Sequence, residues 1–117
     1  MIADTNKWAA MAKRVTALGG WDRGRRWGAD PGAVRYALRV LIWLAGERTT
    51  IPRLASARAA GTILLGWAHD GGRFEVEVFG DGQLRWQAED ADGSGWSGKR
   101  LSGQAAELLK SHFPLAR

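Results

Sequence analysis

Tryptophan and basic residues occur close together in two glycine-rich segments of the chain, residues 19–32 and residues 89–100. Tryptophan and arginine carry much of the binding energy at protein interfaces. The same residue types stack on bases and hold phosphates in proteins that bind single-stranded nucleic acids. The two segments therefore predict a contact surface for a macromolecular partner. The candidate partner-binding residues are Arg23, Arg25, Arg26, Trp27, Trp96, Lys99 and Arg100.

The placement of the seven tryptophans separates expected core residues from expected contact residues. Four lie on apolar faces of predicted helices and strands and are expected in the core, namely Trp8, Trp43, Trp67 and Trp86. Trp21 is expected to pack into the scaffold. Trp27 and Trp96 lie in glycine-rich segments, where each either folds back over the edge of the core or faces a partner.

Residue patterns typical of catalysis or metal binding are weak. The chain has no cysteine, which excludes thiolate zinc sites and cysteine nucleophiles. His69 and His112 lie about forty residues apart, which is a poor spacing for a metal or general-base motif. Glu75 and Glu77 share one strand face at about 7 Å, but alternating glutamates usually face solvent. We expect no enzymatic activity, no cofactor and no metal site.

The positive charge lies in the N-terminal half of the chain. The formal net charge is +5, yet residues 1–58 hold eleven Lys and Arg against four Asp and Glu. Residues 59–117 hold six against eight. A one-sided basic surface attracts nucleic acid or an acidic protein face. The same excess also fits an arginine-rich solvated surface with no partner.

Three segments have the spacing of helices. Apolar residues recur at helical intervals over residues 4–18. A second helix is predicted to begin at Pro31, with Asp30 as its cap, and to end near Gly46. A short last helix is predicted over residues 103–112, with Ser102 at its start.

The middle of the chain changes to an alternating pattern, which predicts three strands within TILLGWA, RFEVEVF and QLRWQAE. HDGG and GDG connect them and are typical hairpin turns. Residues 89–100 are expected to form a loop. The predicted fold is a single α+β domain over residues 1–117, of order ααβββα. In it, two N-terminal helices pack on a three-stranded antiparallel β-meander and a short C-terminal helix follows.

Six segments in order, GGWDRG, DPGAVRYALRVLIWLAG, IPRL, GTILLGW, FEVEV and GDGQL, resemble a pattern shared by small bacterial proteins of unassigned function. The resemblance covers roughly residues 18–90. One departure is Gly66, which stands where that family usually has a glutamate. The resemblance implies an α+β scaffold found in accessory genes of bacterial chromosomes and mobile elements. It supplies no catalytic residues.

The sequence therefore favours a non-catalytic module that binds a partner protein. Small size, weak catalytic patterns and surplus tryptophan and arginine suit an inhibitor, such as an antitoxin, an immunity protein or a phage anti-defence protein of the anti-CRISPR kind. The alternative is a basic nucleic-acid-binding protein that uses an Arg/Trp patch. The N-terminus lacks the pattern of a signal peptide, and no apolar run is long enough to span a bilayer. We therefore expect a cytoplasmic protein without a membrane partner.

Overall fold

The computed structural model describes residues 2–19, 21–22, 25–26 and 28–113. The three helices are α1 (Ile2–Leu18), α2 (Pro31–Gly46) and α3 (Gly103–His112). The strands are β1 (Trp21–Asp22), β2 (Arg25–Arg26), β3 (Leu54–Ala57), β4 (Ile63–His69), β5 (Gly72–Val78), β6 (Leu84–Glu89) and β7 (Gly95–Gly98). In the described part of the chain, no helix has the length and apolar character needed to cross a lipid bilayer.

The α+β class is confirmed, but the predicted number of strands is wrong. Five strands form one antiparallel sheet in the order β3-β4-β5-β6-β7, and β1 pairs with β2 in a separate short ladder. The three predicted strands are the centre of this sheet. Residues 95–98, which were predicted to lie in a loop, form the edge strand β7. Both added strands have only four residues, too few for an alternating apolar pattern to stand out.

Three turns of the sheet have the same construction, which explains why the added strands form. In residues 58–62, 79–83 and 90–94, the N–H of the first residue donates to the carbonyl of the last at 2.9 Å. The N–H of the fourth residue donates back to the first carbonyl. That fourth residue is always a glycine with positive φ, as this bulged hairpin loop requires. These glycines are Gly61, Gly82 and Gly93, with φ of 85°, 90° and 87°.

The core lies between the helices and one face of the sheet. Alternate residues of β4, β5 and β6 are buried on this face, and α1 and α2 lie against each other and against the sheet. Phe74 is fully buried at the centre of an aromatic cluster. Its ring stacks on Trp86 and meets the rings of Trp67 and Phe113 edge to face.

Trp67 and Trp86 are buried, as predicted, because the polar ends of their rings have hydrogen-bond partners. The indole N–H of Trp67 donates to the Thr50 carbonyl at 2.7 Å, and that of Trp86 donates to the Arg100 carbonyl at 2.8 Å. Trp8 and Trp43 are half-buried against the same core. These contacts fix the end of β7 and the segment that leads into β3.

The start of α2 is anchored on the turns of the sheet. The Asp30 carboxylate accepts the N–H of Gly32 at 2.9 Å, which confirms the predicted cap. The Asp30 N–H donates to the Gly61 carbonyl at 2.7 Å. A side chain at Gly32 would meet the Gly80 backbone carbonyl, and a side chain at Gly80 would meet the Asp30 carboxylate, so neither position has room for one. Two turns of the sheet therefore set the position of the helix. By contrast, Ser102 begins α3 as predicted but makes no side-chain capping bond.

Candidate partner-binding site

Strand β7 is an edge of the five-stranded sheet and carries Trp96. Hydrogen-bonded and non-hydrogen-bonded residue pairs alternate along an antiparallel ladder. The N–H of Asp90 donates to the Ser94 carbonyl, so residues 90 and 94 form a hydrogen-bonded pair. Gly95 and Ser97 therefore occupy non-bonded positions, with their N–H and C=O groups directed away from β6. Both residues are exposed. The edge offers backbone donors and acceptors to another chain.

A cavity of about 360 Å³ lies beside β7, on the helix side of the sheet. Trp96, Leu108 and Phe113 supply apolar lining from β7 and from α3 and its end. The hydroxyl of Thr50 donates to the Phe113 carbonyl, which ties the end of α3 to the segment before β3. The cavity is therefore built by packing between distant parts of the chain. Its apolar lining suits the aliphatic part of a partner's side chain.

The polar lining of this cavity is acidic. Asp70 lies in the β4–β5 turn, and Asp90 and Asp92 lie in the β6–β7 turn at the same end of the sheet. One Asp90 oxygen accepts the N–H groups of Asp92 and Ser94, each at 3.0 Å, so it organises its own turn. The His69 ring lies 3.1 Å from Asp70 and compensates its charge only when protonated. The field around Trp96 therefore favours a cation over a phosphate.

The structure separates the candidate residues of the second glycine-rich segment. Trp96 is half-buried on the helix side of the sheet and lines the acidic cavity. Lys99 lines a second, larger hollow, beside Glu75 and Arg85, on the face of the sheet opposite the helices, which we call the open face. Arg100 is exposed just beyond the strand. The predicted aromatic and basic residues thus lie near one edge of the sheet, but Trp96 and Lys99 are on opposite faces.

The first glycine-rich segment is described only in part. Arg25 and Arg26 form β2, whose backbone pairs with Trp21 and Asp22 of β1. Arg23 and Trp27 lie outside the described residues. The contribution of this segment to the predicted contact surface therefore stays a prediction.

The second hollow lies over the open face of the sheet, where Glu77 has several cationic and hydroxyl partners. The Thr62 hydroxyl donates to one carboxylate oxygen at 2.7 Å, and Arg85 donates to the other from two nitrogens at 2.9 and 3.1 Å. Arg58 lies 3.8 Å away. Burial raises the pKa of Glu77, but these hydrogen bonds and positive charges outweigh it and lower the pKa below its usual value. Glu77 is therefore an ionised structural anchor.

Replacing Glu77 with Gln should lower the free energy of unfolding at pH 7 by about 1 kcal/mol, because charged hydrogen bonds are lost while both arginines are half exposed or more. A depressed folded-state pKa stabilises the fold above the unfolded-state pKa, and this stabilisation is lost as pH falls. The difference between Glu77→Gln and wild type should thus shrink below about pH 4. Urea denaturation at several pH values measures it.

The control for this change is Glu75→Gln on the same strand and face. Glu75 accepts a hydrogen bond from the uncharged Gln87 side chain at 3.2 Å, whereas Glu77 is bound by Arg85. We expect a smaller loss of stability at pH 7 than for Glu77→Gln. Equal losses, or a Glu77→Gln effect that does not change with pH, would contradict the assigned role of the ion pairs.

The outer surface of the helices is basic. Helix α2 contains Arg35 and Arg39 and no acidic residue, and both arginines are exposed. Arg39 lies over the Tyr36 ring at 5.3 Å. Lys13 and Arg14 are exposed on α1. The basic excess of the N-terminal half is therefore at least partly a feature of the helical layer, on the opposite side of the molecule from the open sheet face.

Sequence reasoning missed the residues that build the acidic cavity, chiefly Asp70, Asp92, Leu108 and Phe113. The available signal was the pair of Asp-Gly turns at 70–71 and 92–93, which the sheet brings to one end. Within the described part of the chain, no group of three His, Asp or Glu residues is placed to hold a metal ion.

Comparison of the chain with protein-family models, with curated proteins and with solved structures finds no match.

Proposed function

We propose that the protein is a non-catalytic module that binds a partner protein, through the acidic cavity and the adjoining residues of β7. The setting that best suits such a module is inhibition, as by an antitoxin, an immunity protein or a phage anti-defence protein. The observation that carries this proposal is the position of Trp96, which lies between apolar residues of α3 and the carboxylates of two turns.

An aromatic side chain beside carboxylates suits a lysine or arginine side chain of a protein, through cation–π and ion-pair contacts. It does not suit a nucleic acid, because the carboxylates repel phosphate groups. The basic candidates Lys99 and Arg100 lie at the other end of β7 and can contact acidic residues of the same partner. The proposed interface is thus acidic near the β6–β7 turn and basic near the start of α3.

The test fills the cavity without removing any core packing. Ser111 is exposed and lines the cavity, so Ser111→Arg places a long side chain in it, next to the carboxylates. The matched control is Gln104→Arg, at an exposed α3 position with the same added charge. Tagged wild-type protein is used to capture partner proteins from the host, and these are identified and purified. Each is then recombined with the protein as a defined complex. The activity of the partner is measured with and without the protein, and a loss is expected for an inhibitor.

We expect Ser111→Arg to weaken the recombined complex at least tenfold, which is the effect of a central interface change of more than about 1 kcal/mol. Gln104→Arg should bind as wild type does. Equal binding of both variants would place the partner elsewhere on the surface. Failure to recombine any complex from purified components would contradict a protein partner altogether.

A second candidate function, nucleic-acid binding, is favoured by the basic layer of α1 and α2. Affinity for an oligonucleotide then falls steeply with salt concentration, because phosphate contacts release counterions. Replacement of Arg35 and Arg39 with Glu should abolish such binding, whereas Ser111→Arg should leave it unchanged. If the oligonucleotide does not bind wild type at low salt, or binds the Arg35/Arg39 variant equally well, the basic layer of the helices is not a nucleic-acid site.

A further inference from the structure

We infer that two copies of this chain pair through β7, edge to edge and antiparallel, so that their sheets become one continuous sheet of ten strands. This inference goes beyond the proposed function and does not depend on it. Because both use β7, the dimer and the partner complex are alternatives at this edge, and the dimer dissociates before a partner binds there. Its starting point is the outward direction of the Gly95 and Ser97 backbone groups, together with their exposure. The outward backbone groups of two such edges can hydrogen-bond to each other when the strands run in opposite directions.

One register satisfies both backbone and side chains. With Trp96 of one copy opposite Trp96 of the other, Gly95 of each copy lies opposite Ser97 of its partner. Gly95 and Ser97 both direct hydrogen-bonding groups outward, so this register makes bonded pairs. The two Trp96 side chains then occupy a non-bonded pair position, where side chains are closest and aromatic pairs stabilise a sheet.

The charges along this edge are self-complementary. Strand β7 is preceded by the acidic turn that holds Asp90 and Asp92 and is followed by Lys99 and Arg100. Asp92 lies four residues before Trp96 and Arg100 four residues after it, so the antiparallel register brings the acidic turn of each copy to the basic end of the other, once at each end of the joint. A parallel arrangement would instead place like charges together. Charge complementarity therefore favours a second copy of the chain, in the antiparallel orientation, as the binding partner of β7.

The opposite edge of the sheet is less suited to pairing. Strand β3 is contacted by α1, so part of that strand is already covered by a helix. Strand β7 is short, and a joint of this length is small compared with a standard protein interface. We therefore expect a reversible dimer with a dissociation constant of roughly 10–100 μM, rather than an obligate one.

The experiment is sedimentation equilibrium of the full chain over a range of concentrations, with charge-swap variants. Arg100→Glu alone and Asp92→Arg alone should each raise the dimer dissociation constant about tenfold, because each puts like charges together at both ends of the joint. The double variant Asp92→Arg/Arg100→Glu restores opposite charges and should return the constant to within about threefold of wild type. A merely destabilising effect of either change would not be reversed in this way.

Two further variants locate the contact. Ser97→Pro removes an N–H that the sheet itself does not use, which an edge strand tolerates, and should abolish the dimer while circular dichroism stays native. Asp81→Arg is the matched control, because Asp81 occupies in the β5–β6 turn the position that Asp92 occupies in the β6–β7 turn. It should leave dimerisation unchanged.

The inference is overturned if wild type stays monomeric up to about 1 mM, well above the expected constant. It is also overturned if Ser97→Pro dimerises as wild type does, or if the charge-swap pair fails to restore association. Partner binding is measured separately, on Ser111→Arg. A monomeric chain that still binds a partner would thus contradict the dimer alone.

Discussion

Phe74→Ala should destabilise the protein by about 3–5 kcal/mol, the usual cost of removing a fully buried aromatic ring. Phe74 is 0% exposed, and its ring centre lies 5.4 Å from those of both Trp67 and Trp86. Three ring contacts are lost together, and the surrounding strands cannot close the space. Thermal unfolding should show the melting temperature lowered by about 10 °C or more.

The control for Phe74→Ala is Ile42→Ala, because Ile42 is 73% exposed on the outer side of α2. That change should alter the free energy of unfolding by less than about 0.5 kcal/mol. Phe113 also contacts the Phe74 ring and lines the acidic cavity, so any folded Phe74→Ala protein should bind the proposed partner less well. A loss below about 1 kcal/mol would mean that Phe74 does not hold the core together.

The helices and the central strands could be predicted because each has a long, consistent apolar pattern. In β5, Phe74, Val76 and Val78 alternate with charged residues, and all three are buried. Such a pattern specifies one face of a sheet without information from the rest of the chain. The Asp30 cap followed by Pro31 likewise fixes the start of α2 from local chemistry alone.

The edge strands could not be predicted in the same way, because their residues give almost no apolar alternation. In β3 the only buried residue is Ala55, and in β7 the one large apolar residue is Trp96. Turn chemistry was the better signal for β7. The Asp-Gly pair at 92–93 repeats the pair at 81–82, and each closes a bulged hairpin loop that requires a strand on both sides.

The candidate site was only partly predictable for a different reason. Composition singled out Trp96, but its surroundings are decided by packing between residues far apart in sequence. Asp70, Asp92 and Leu108 meet only because two turns lie at one end of the sheet and α3 crosses beneath them. No local pattern in the sequence carries that information. The acidic surroundings of the Trp96 ring therefore could not be predicted from the sequence.

Two identical substitutions at the two ends of α2 should have opposite effects on stability. Gly32→Ala puts a methyl group well inside contact distance of the Gly80 carbonyl oxygen and 3.3 Å from an Asp30 carboxylate oxygen. The obstacle is backbone, so the helix or the β5–β6 turn has to move, and the capping bond at 2.9 Å is disturbed. We expect a loss of about 1–3 kcal/mol, the range for overpacked sites.

Gly46→Ala, in the last turn of the same helix, should stabilise the protein by about 0.5–1 kcal/mol. A methyl group on Gly46 meets no atom within 4 Å, and alanine loses less backbone entropy than glycine when a helix forms. Urea denaturation of both variants beside wild type gives the two signs directly. If Gly32→Ala were as stable as Gly46→Ala, the start of α2 could not lie against the β5–β6 turn. The intrinsic helix preference is similar at the two positions, so the difference between the variants measures that contact.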